Sequence, residues 1–474
     1  MSARQYAAVL DVGKTHSKLS LWETGSGRRV AERVRRNGSV PGAHYRALDA
    51  GAIEHWLCET LREFASLGAI GHIVPVAHGA AAALLADGQL LCPPMDYEQP
   101  LPPATLSEYR ALRDPFSETG SPALPSGLNL GAQLYWLESL QPKLLADGTA
   151  IVPWAQYWAW RLSGVTSSER TSLGSHTDLW NPWENAPSRL AVRRGWASRL
   201  APLRSAGDVL GGLRADWAER THLATDTRVL CGLHDSNAAL LAARAYREIA
   251  HRDATVVSTG TWFIAMRAGA SSPRQALPPG LEQRDCLINV DVAGHPVPSA
   301  RFMGGRECEL LLKSSPGIDS SAAQGELLRA AISAVRSGSC ILPTAVRGVG
   351  PYPNALGQWL HEPSDAFERA ASVALYLALL TDAALELIGA REHVLIEGRY
   401  SGAEVYLRSL AALRPQERIL ASAARDGVAS GALQLLDCAR VPSEPLRRAE
   451  PLGIDLTAYR AEWRAAAATT GEAA

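Results

Sequence analysis

Residues 7–23 read AAVLDVGKTHSKLSLWE, and the Gly-Lys-Thr at their centre decides between two ways of folding. A P-loop needs a glycine five positions upstream of that triplet and a helix downstream, so that successive backbone N–H groups wrap a phosphate. Position 8 is alanine, inside an apolar run, and the stretch after the triplet sets Lys18, Ser20 and Glu23 among Leu19, Leu21 and Trp22. That alternation is a strand pattern, so the segment is predicted to be strand, tight turn, strand. The layout returns at Ala254–Met266, where a β-branched run meets the small polar turn Ser258-Thr259-Gly260-Thr261 and a second apolar run starts at Trp262. Two such hairpins, a domain's length apart and with negligible identity, predict two domains of similar design facing each other.

The chain's 474 residues exceed what one hydrophobic core supports, which also favours two domains. The weakest point between them is near AYREIAHRDAT, 245–255, giving an expected division into 1–247 and 248–474. A net charge of -1 leaves no electrostatic footprint for nucleic acid or an anionic membrane, so neither is an expected partner. The seven cysteines are scattered singly, without zinc spacing, and read as reduced thiols in a cytoplasm. Asp11 interrupts the first apolar run too early for a signal peptide. The apolar stretch AASVALYLALLT, 370–381, is short against the ~20 residues of a membrane span and reads as a buried core helix. The Ala-rich tail after Trp463 reads as a helix fraying into disorder.

Four motifs carry chemistry, each beside a plainer alternative. In the first turn Gly13 permits close backbone approach, Thr15 offers a hydroxyl, Lys18 a cation, and Asp11 a carboxylate able to orient Mg2+ through its water shell; the same residues also suit an ordinary hairpin. In CGLHDSNAALLAA, Asp235 follows a strand and glycine and opens a helical run, so it is either an N-cap or a carboxylate beside His234 that takes a proton from a substrate hydroxyl. IEGRYSGAEVYLRSLAALRP offers Gly398 at a strand end, able to pass under a nucleobase or merely to form a βα turn, then Ser401 and Glu404 as an expected capping box. VAHGAAAALLADGQLLCPPMDYE places His78-Gly79 at a strand end, a hairpin through Asp87-Gly88, and Asp96, Tyr97 and Glu98 beyond; these could meet sugar hydroxyls, although a lone histidine is more often structural.

Taken together and in order, the motifs resemble the FGGY carbohydrate kinases of the actin-like ATPase superfamily, over nearly the whole chain. DVGKTHSK is similar to that family's first phosphate motif, STGTW to its second, HVLIEGRYSG to its adenosine motif and GLHDSNAA to the segment with its catalytic aspartate. The resemblance implies an α/β fold of two actin-like (ribonuclease H-like) domains, each a mixed β-sheet flanked by helices, with an interdomain cleft. It implies an ATP- and Mg2+-dependent kinase acting on a small-molecule ketose, nearest the rhamnulokinase/fuculokinase branch, and allows a homodimer. Carried over by position, Asp235 is the base and Asp11 serves the magnesium. Gly13, Lys14, Thr15 and Lys18 lie in the first phosphate loop, and Thr259, Gly260 and Thr261 in the second. Gly398 and Arg399 belong to the adenosine site, with Gly427 and Gly431 a fainter part, while His78, Gly79, Asp96, Glu98 and His234 meet the sugar. Three departures stand out: Arg399-Tyr400 in place of further glycines, Lys14 in place of a small hydroxyl residue, and MDYEQP in place of the usual Trp-Asn-Asp or Tyr-Arg-Asp. The alternatives are a non-catalytic sugar or nucleotide sensor on the same scaffold, or another actin-like phosphotransferase.

Overall fold

The computed structural model describes residues 6–269, 278–424, 426–436, 442 and 444–472. The chain forms two compact units that are not contiguous in sequence. The first comprises Met1–Ala245, Ile288–Pro296 and Asp426–Arg440, the second Tyr246–Leu287, Val297–Arg425 and Val441–Ala474.

In the first unit, β1 (Tyr6–Val12) pairs antiparallel with β2 (His16–Glu23), which pairs antiparallel with β3 (Arg29–Arg36). On its other side β1 runs parallel to β4 (Ile70–Ala77), and β5 (Val209–Gly212) and β6 (Arg228–Leu230) extend the sheet in the order β5-β6-β4-β1-β2-β3. The short β7 (Leu233–His234) also runs parallel to β4. A strand covered on both faces must be apolar on both faces. Accordingly Ala8, Leu10 and Val12 of β1 pack with Leu57, Leu61 and Phe64 of α1 (Ala50–Ala65), while Ala7 and Val9 pack with Val74, Val76, Leu230 and Leu233. The chain leaves β7 straight into α2 (Asp235–Arg244).

The second unit repeats the central layout. Strand β8 (Ala254–Thr259) pairs antiparallel with β9 (Phe263–Ala268). The sheet continues through β10 (Cys286–Val290) and β11 (Pro296–Phe302) on that side, and through β12 (His393–Gly398), β13 (Arg418–Ala421) and β14 (Arg447–Arg448) on the other, in the order β10-β11-β9-β8-β12-β13-β14. Strand β12 is parallel to β8 with Thr259 opposite Gly398. Helix α3 (Gly304–Leu312) follows β11. The apolar stretch at 370–381 lies inside α4 (Ala366–Leu387), capped by Asp365, whose side chain accepts from the Glu368 N–H at 2.8 Å. By length and composition α4 could cross a membrane; here it is a core helix buried along nearly its whole length.

One local expectation is corrected. Ser401 does not cap the helix α5 (Glu404–Leu413): residues 399–402 form a turn of 3-10 helix, Ala403 holds the cap position, and the Ser401 hydroxyl donates to the Gly398 carbonyl instead. The extra turn moves the helix start two residues past the point where the capping box would place it. The hairpin through Asp87-Gly88 does form, joining Ala82–Ala86 to Gln89–Leu90. Its two turn residues have φ of 51° and 71°, the left-handed values a two-residue hairpin loop demands. Six of the seven cysteines are described and all six are free; Cys438 lies outside the described residues.

Candidate functional site

In the first unit the turn after β1 is closed by a Gly13 N–H to His16 carbonyl bond of 3.0 Å. A residue that the motifs do not include braces it from just past β3: Asn37 Nδ2 donates to the Gly13 carbonyl at 2.7 Å, the Asn37 N–H to the Thr15 carbonyl at 2.7 Å, and Ser17 Oγ to Asn37 Oδ1 at 2.9 Å. With the turn's carbonyls bonded inward, its exposed apex at Thr15 faces solvent.

Asp11 sits opposite Lys18 in the β1–β2 register. Burial pushes the Asp11 carboxyl up to about 7, the negative charge of Asp235 adds to the effect, and Lys18 opposes it. The Asp11 and Asp235 carboxylates are therefore close enough to repel each other, with Lys18 the cation that offsets them. The Lys18 ammonium is only loosely paired, 3.9 Å from Glu32. No cluster of three or more His, Cys, Asp or Glu suited to a metal occurs among the described residues. Two carboxylates this close fit Mg2+, which keeps most of its waters and is usually held by one or two carboxylates plus phosphate oxygens.

Asp235 lies where β7 passes into α2, in the first turn of that helix. Its Oδ1 accepts from the Ser236 N–H at 2.5 Å and Ser236 Oγ at 3.2 Å, and lies 3.3 Å from His234 Nε2. Oδ2 has no hydrogen-bond partner among the described residues, and the side chain is about a quarter exposed (27%). His234 is buried; burial lowers its pKa and the charge of Asp235 pulls the other way. Asn237 Nδ2 lies 3.4 Å from His234 Nδ1, an arrangement that places the ring proton on Nε2, toward Asp235 Oδ1 and Ser175 Oγ (3.1 Å). The His234 N–H donates to Thr171 Oγ1 at 3.0 Å, and Thr171 in turn donates to buried Glu169 at 2.6 Å. Gly79 is required here, because a Cβ at that position would lie 2.5 Å from Ser175 Oγ and 3.1 Å from His234 Nε2. His78 approaches Tyr97 edge to face, with ring centroids 5.2 Å apart, and its N–H donates to the Val12 carbonyl at 3.1 Å. The His78 pKa is lowered by burial, against a bond to the Gly79 carbonyl.

Asp96 is buried and its Oδ1 is bonded to Lys14 Nζ; Oδ2 lies 3.1 Å from Arg46 Nε. Burial disfavours the Asp96 anion, but Lys14, the Glu98 N–H and Arg46 together hold its pKa below the ordinary value. Lys14 also lies 3.4 Å from Glu98 and 5.1 Å above the Tyr97 ring. The structure thus gathers Asp11, Lys18, His78, Gly79, His234 and Asp235, and turns Lys14 toward Asp96 and Glu98.

In the second unit the Thr259 hydroxyl is spent within the fold, donating to the Glu397 carbonyl at 2.6 Å and accepting from the Tyr400 N–H at 3.0 Å. Gly398 has φ of 85°, and a side chain there would collide with the Thr259 carbonyl. Gly260 closes the β8–β9 turn through its N–H to the Trp262 carbonyl at 3.0 Å, and Thr261 is exposed at the apex. Two further glycines enter from a distance: Gly304 would clash with Phe263 and Phe302, and Gly305 with the Gly260 carbonyl, so α3 begins directly against this turn. The pair MGGRE was the available signal. Arg399 points to Asp319 (2.9 Å) and lies 5.2 Å over the Tyr400 ring, which is buried against Phe263. Glu397, beside Ser258, has its pKa pushed up to about 7 by burial, which a Ser258 hydrogen bond opposes. Gly427 opens α6 (Gly427–Gln434), a helix counted with the first unit, and Gly431 is needed there because a side chain would strike the Ala238 carbonyl of α2.

Comparison with known proteins matches residues 251–444 to the C-terminal domain of the FGGY carbohydrate kinases. Among solved structures, a carbohydrate kinase from Novosphingobium aromaticivorans is 48% identical, with 98% of this chain and 99% of that one covered and a TM-score of 0.94. A xylulose kinase from Rhodospirillum rubrum is 19% identical over 98% of both chains (TM-score 0.77). A glycerol kinase from Plasmodium falciparum, determined with ADP, is 11% identical over 99% of both (TM-score 0.78); these two share the fold. Curated protein sequences give no match.

Proposed function

The chain belongs to the FGGY carbohydrate kinase family, and from that premise we propose that it transfers the γ-phosphoryl group of ATP to a terminal hydroxyl of a small ketose of the rhamnulose or fuculose kind. It is a carbohydrate kinase, so its substrate is a small sugar. The observation that carries the finer reading is Asp235: one carboxylate oxygen held by Ser236 and faced by His234, the other open. That open oxygen takes the sugar hydroxyl's proton as the hydroxyl oxygen attacks phosphorus, and general-base assistance of this kind contributes about 10²- to 10⁴-fold. His234 faces the fixed oxygen with a ring proton, which keeps the two oxygens distinct. ATP fits the second unit's turn and the glycine-lined start of α3, where backbone approaches backbone closely; within the first unit, Lys18 is a loosely paired cation suited to a phosphate. Asp11 would hold Mg2+ through its water shell, which when bound neutralises charge developing on the transferred phosphoryl group.

The test is a ketose panel assayed by mass detection of the sugar phosphate and by ADP release with ATP and Mg2+. A phosphorylated L-rhamnulose or L-fuculose is the expected product. Phosphorylation confined to an aldonic acid or a triol would overturn the ketose assignment and leave the kinase standing.

A further inference from the structure

The first turn contains two lysines four residues apart, and the structure sends them in different directions. Lys18 keeps a loose contact with Glu32 at 3.9 Å and shares the pocket of Asp11. Lys14 is engaged on three sides: by Asp96 Oδ1, by Glu98 at 3.4 Å and by the face of the Tyr97 ring at 5.1 Å. Asp96 is almost wholly buried (1% exposed), so drawing Lys14 away to a phosphate would leave a buried carboxylate with Arg46 as its one remaining cation and the Glu98 N–H as a donor. The segment that Lys14 grips is also held by backbone bonds: the Asp96 N–H donates to the Arg46 carbonyl at 3.0 Å, and the Gly127 N–H to the Tyr97 carbonyl at 2.9 Å. Tyr97 in turn meets His78, whose N–H is bonded to the end of β1 at Val12.

We infer that Lys14 is a positioning residue for the sugar rather than a ligand of the phosphate: its ion pair with Asp96 joins the first phosphate turn to the segment Asp96–Glu98 and fixes Tyr97 against His78. The inference rests on the kinase reading above and deepens it, because it makes the same turn answer to both substrates, Lys18 to one and Lys14 to the other. It also gives Asp96 a different part from that of a sugar ligand: both carboxylate oxygens are occupied by cations, and Glu98, more than half exposed, is the carboxylate left to reach a hydroxyl.

The experiment is steady-state kinetics of K14M, K14R and D96N with the best ketose of the panel, each substrate varied against saturation by the other. K14M and D96N are expected to raise the KM for the ketose about tenfold or more while moving the KM for ATP by less than about twofold. The K14M/D96N double variant should be no worse than either single one, because both remove one ion pair. K14R, which keeps a cation on Asp96, should recover much of the lost sugar affinity. A rise confined to the KM for ATP, or additive losses in the double variant, would overturn the assignment. Should wild-type protein phosphorylate no ketose, the kinase reading of the substrate fails, and Lys14 is judged separately by calorimetry with MgADP: unchanged affinity in K14M supports the inference, and a weakening of about tenfold overturns it.

Discussion

The two hairpin turns have the same backbone plan and opposite chemistry. In each, a central strand is antiparallel to its successor on one side and parallel to a later strand on the other. The turn at Gly13 is surrounded by ionisable groups: Asp11, Lys14 and Lys18 belong to it, and Asp235, Asp96 and Glu98 lie against them. The turn at Gly260 carries no charge of its own, its Thr259 hydroxyl is consumed by Glu397 and Tyr400, and glycines at 305 and 398 bring backbone against backbone. A repeated plan thus serves two purposes. One turn gathers carboxylates and lysines; the other brings main chain to close range.

The sharpest way to break this contrast is at Asp235. D235N keeps the shape and removes the proton acceptor, so kcat should fall about 10²- to 10⁴-fold with both KM values little changed. A kcat within about threefold of wild type would remove Asp235 from the role of base. The next effect belongs to the other turn. G398A places a Cβ against the Thr259 carbonyl at a φ of 85°, and such strain costs on the order of 1–3 kcal/mol. Guanidinium unfolding should show that loss, with a raised KM for ATP and little change in the KM for the sugar. An equal rise in both would contradict the division of labour between the turns.

The hairpins themselves were legible in sequence, because alternation fixes a strand and a small polar break fixes its end. Asp235 was legible because a strand, a glycine and a helix former run surround it. What sequence did not reveal depends on residues far apart in the chain. Asn37 braces the first turn from just past β3, Ser175 and Thr171 hold His234, and Gly305 meets Gly260 only through the fold. Lys14 shows the same limit from the other side: its neighbours in sequence suggest phosphate, while its partner, 82 residues away, is a buried carboxylate. The glycines at 398 and 431 stood out correctly as special positions, but packing against Thr259 and Ala238 is the demonstrated need.

Asp11 gives the first turn a pH prediction of its own. The Asp11 carboxyl has its ordinary value of 3.8 in the unfolded chain and is raised to about 7 in the fold. Between those values the unfolded chain holds fewer protons than the folded one, so this group makes stability fall as pH rises from about 4 to 7. D11N, which cannot ionise, should therefore be more stable than wild type at pH 7 without Mg2+, and the gain should vanish near pH 4. In the wild type the apparent affinity for Mg2+ should rise as pH passes through about 7, since the anion is the form that binds; D11N should lose that dependence. A pH-independent Mg2+ affinity in the wild type would remove Asp11 from the metal site.

The smallest expected effect tests whether the second turn is as free of charge chemistry as its contacts imply. Arg399 directly follows Gly398, which lies opposite Thr259, but its guanidinium is half exposed, bonded to Asp319 at 2.9 Å and laid over Tyr400. The pair with Asp319 raises the Arg399 pKa, a sign of engagement outside the turn. Exposed pairs of this kind contribute about 0–1 kcal/mol, so R399A should leave unfolding midpoints almost where they were. If the second turn binds nucleotide through main chain alone, the same variant should move the KM for ATP by less than about twofold. A rise of about tenfold would mean that Arg399 swings from Asp319 to a phosphate when nucleotide binds, and the contrast between the turns would then hold only for the empty protein. D319N separates the two outcomes: releasing Arg399 should tighten ATP binding if the arginine can reach the nucleotide, and change nothing if it cannot.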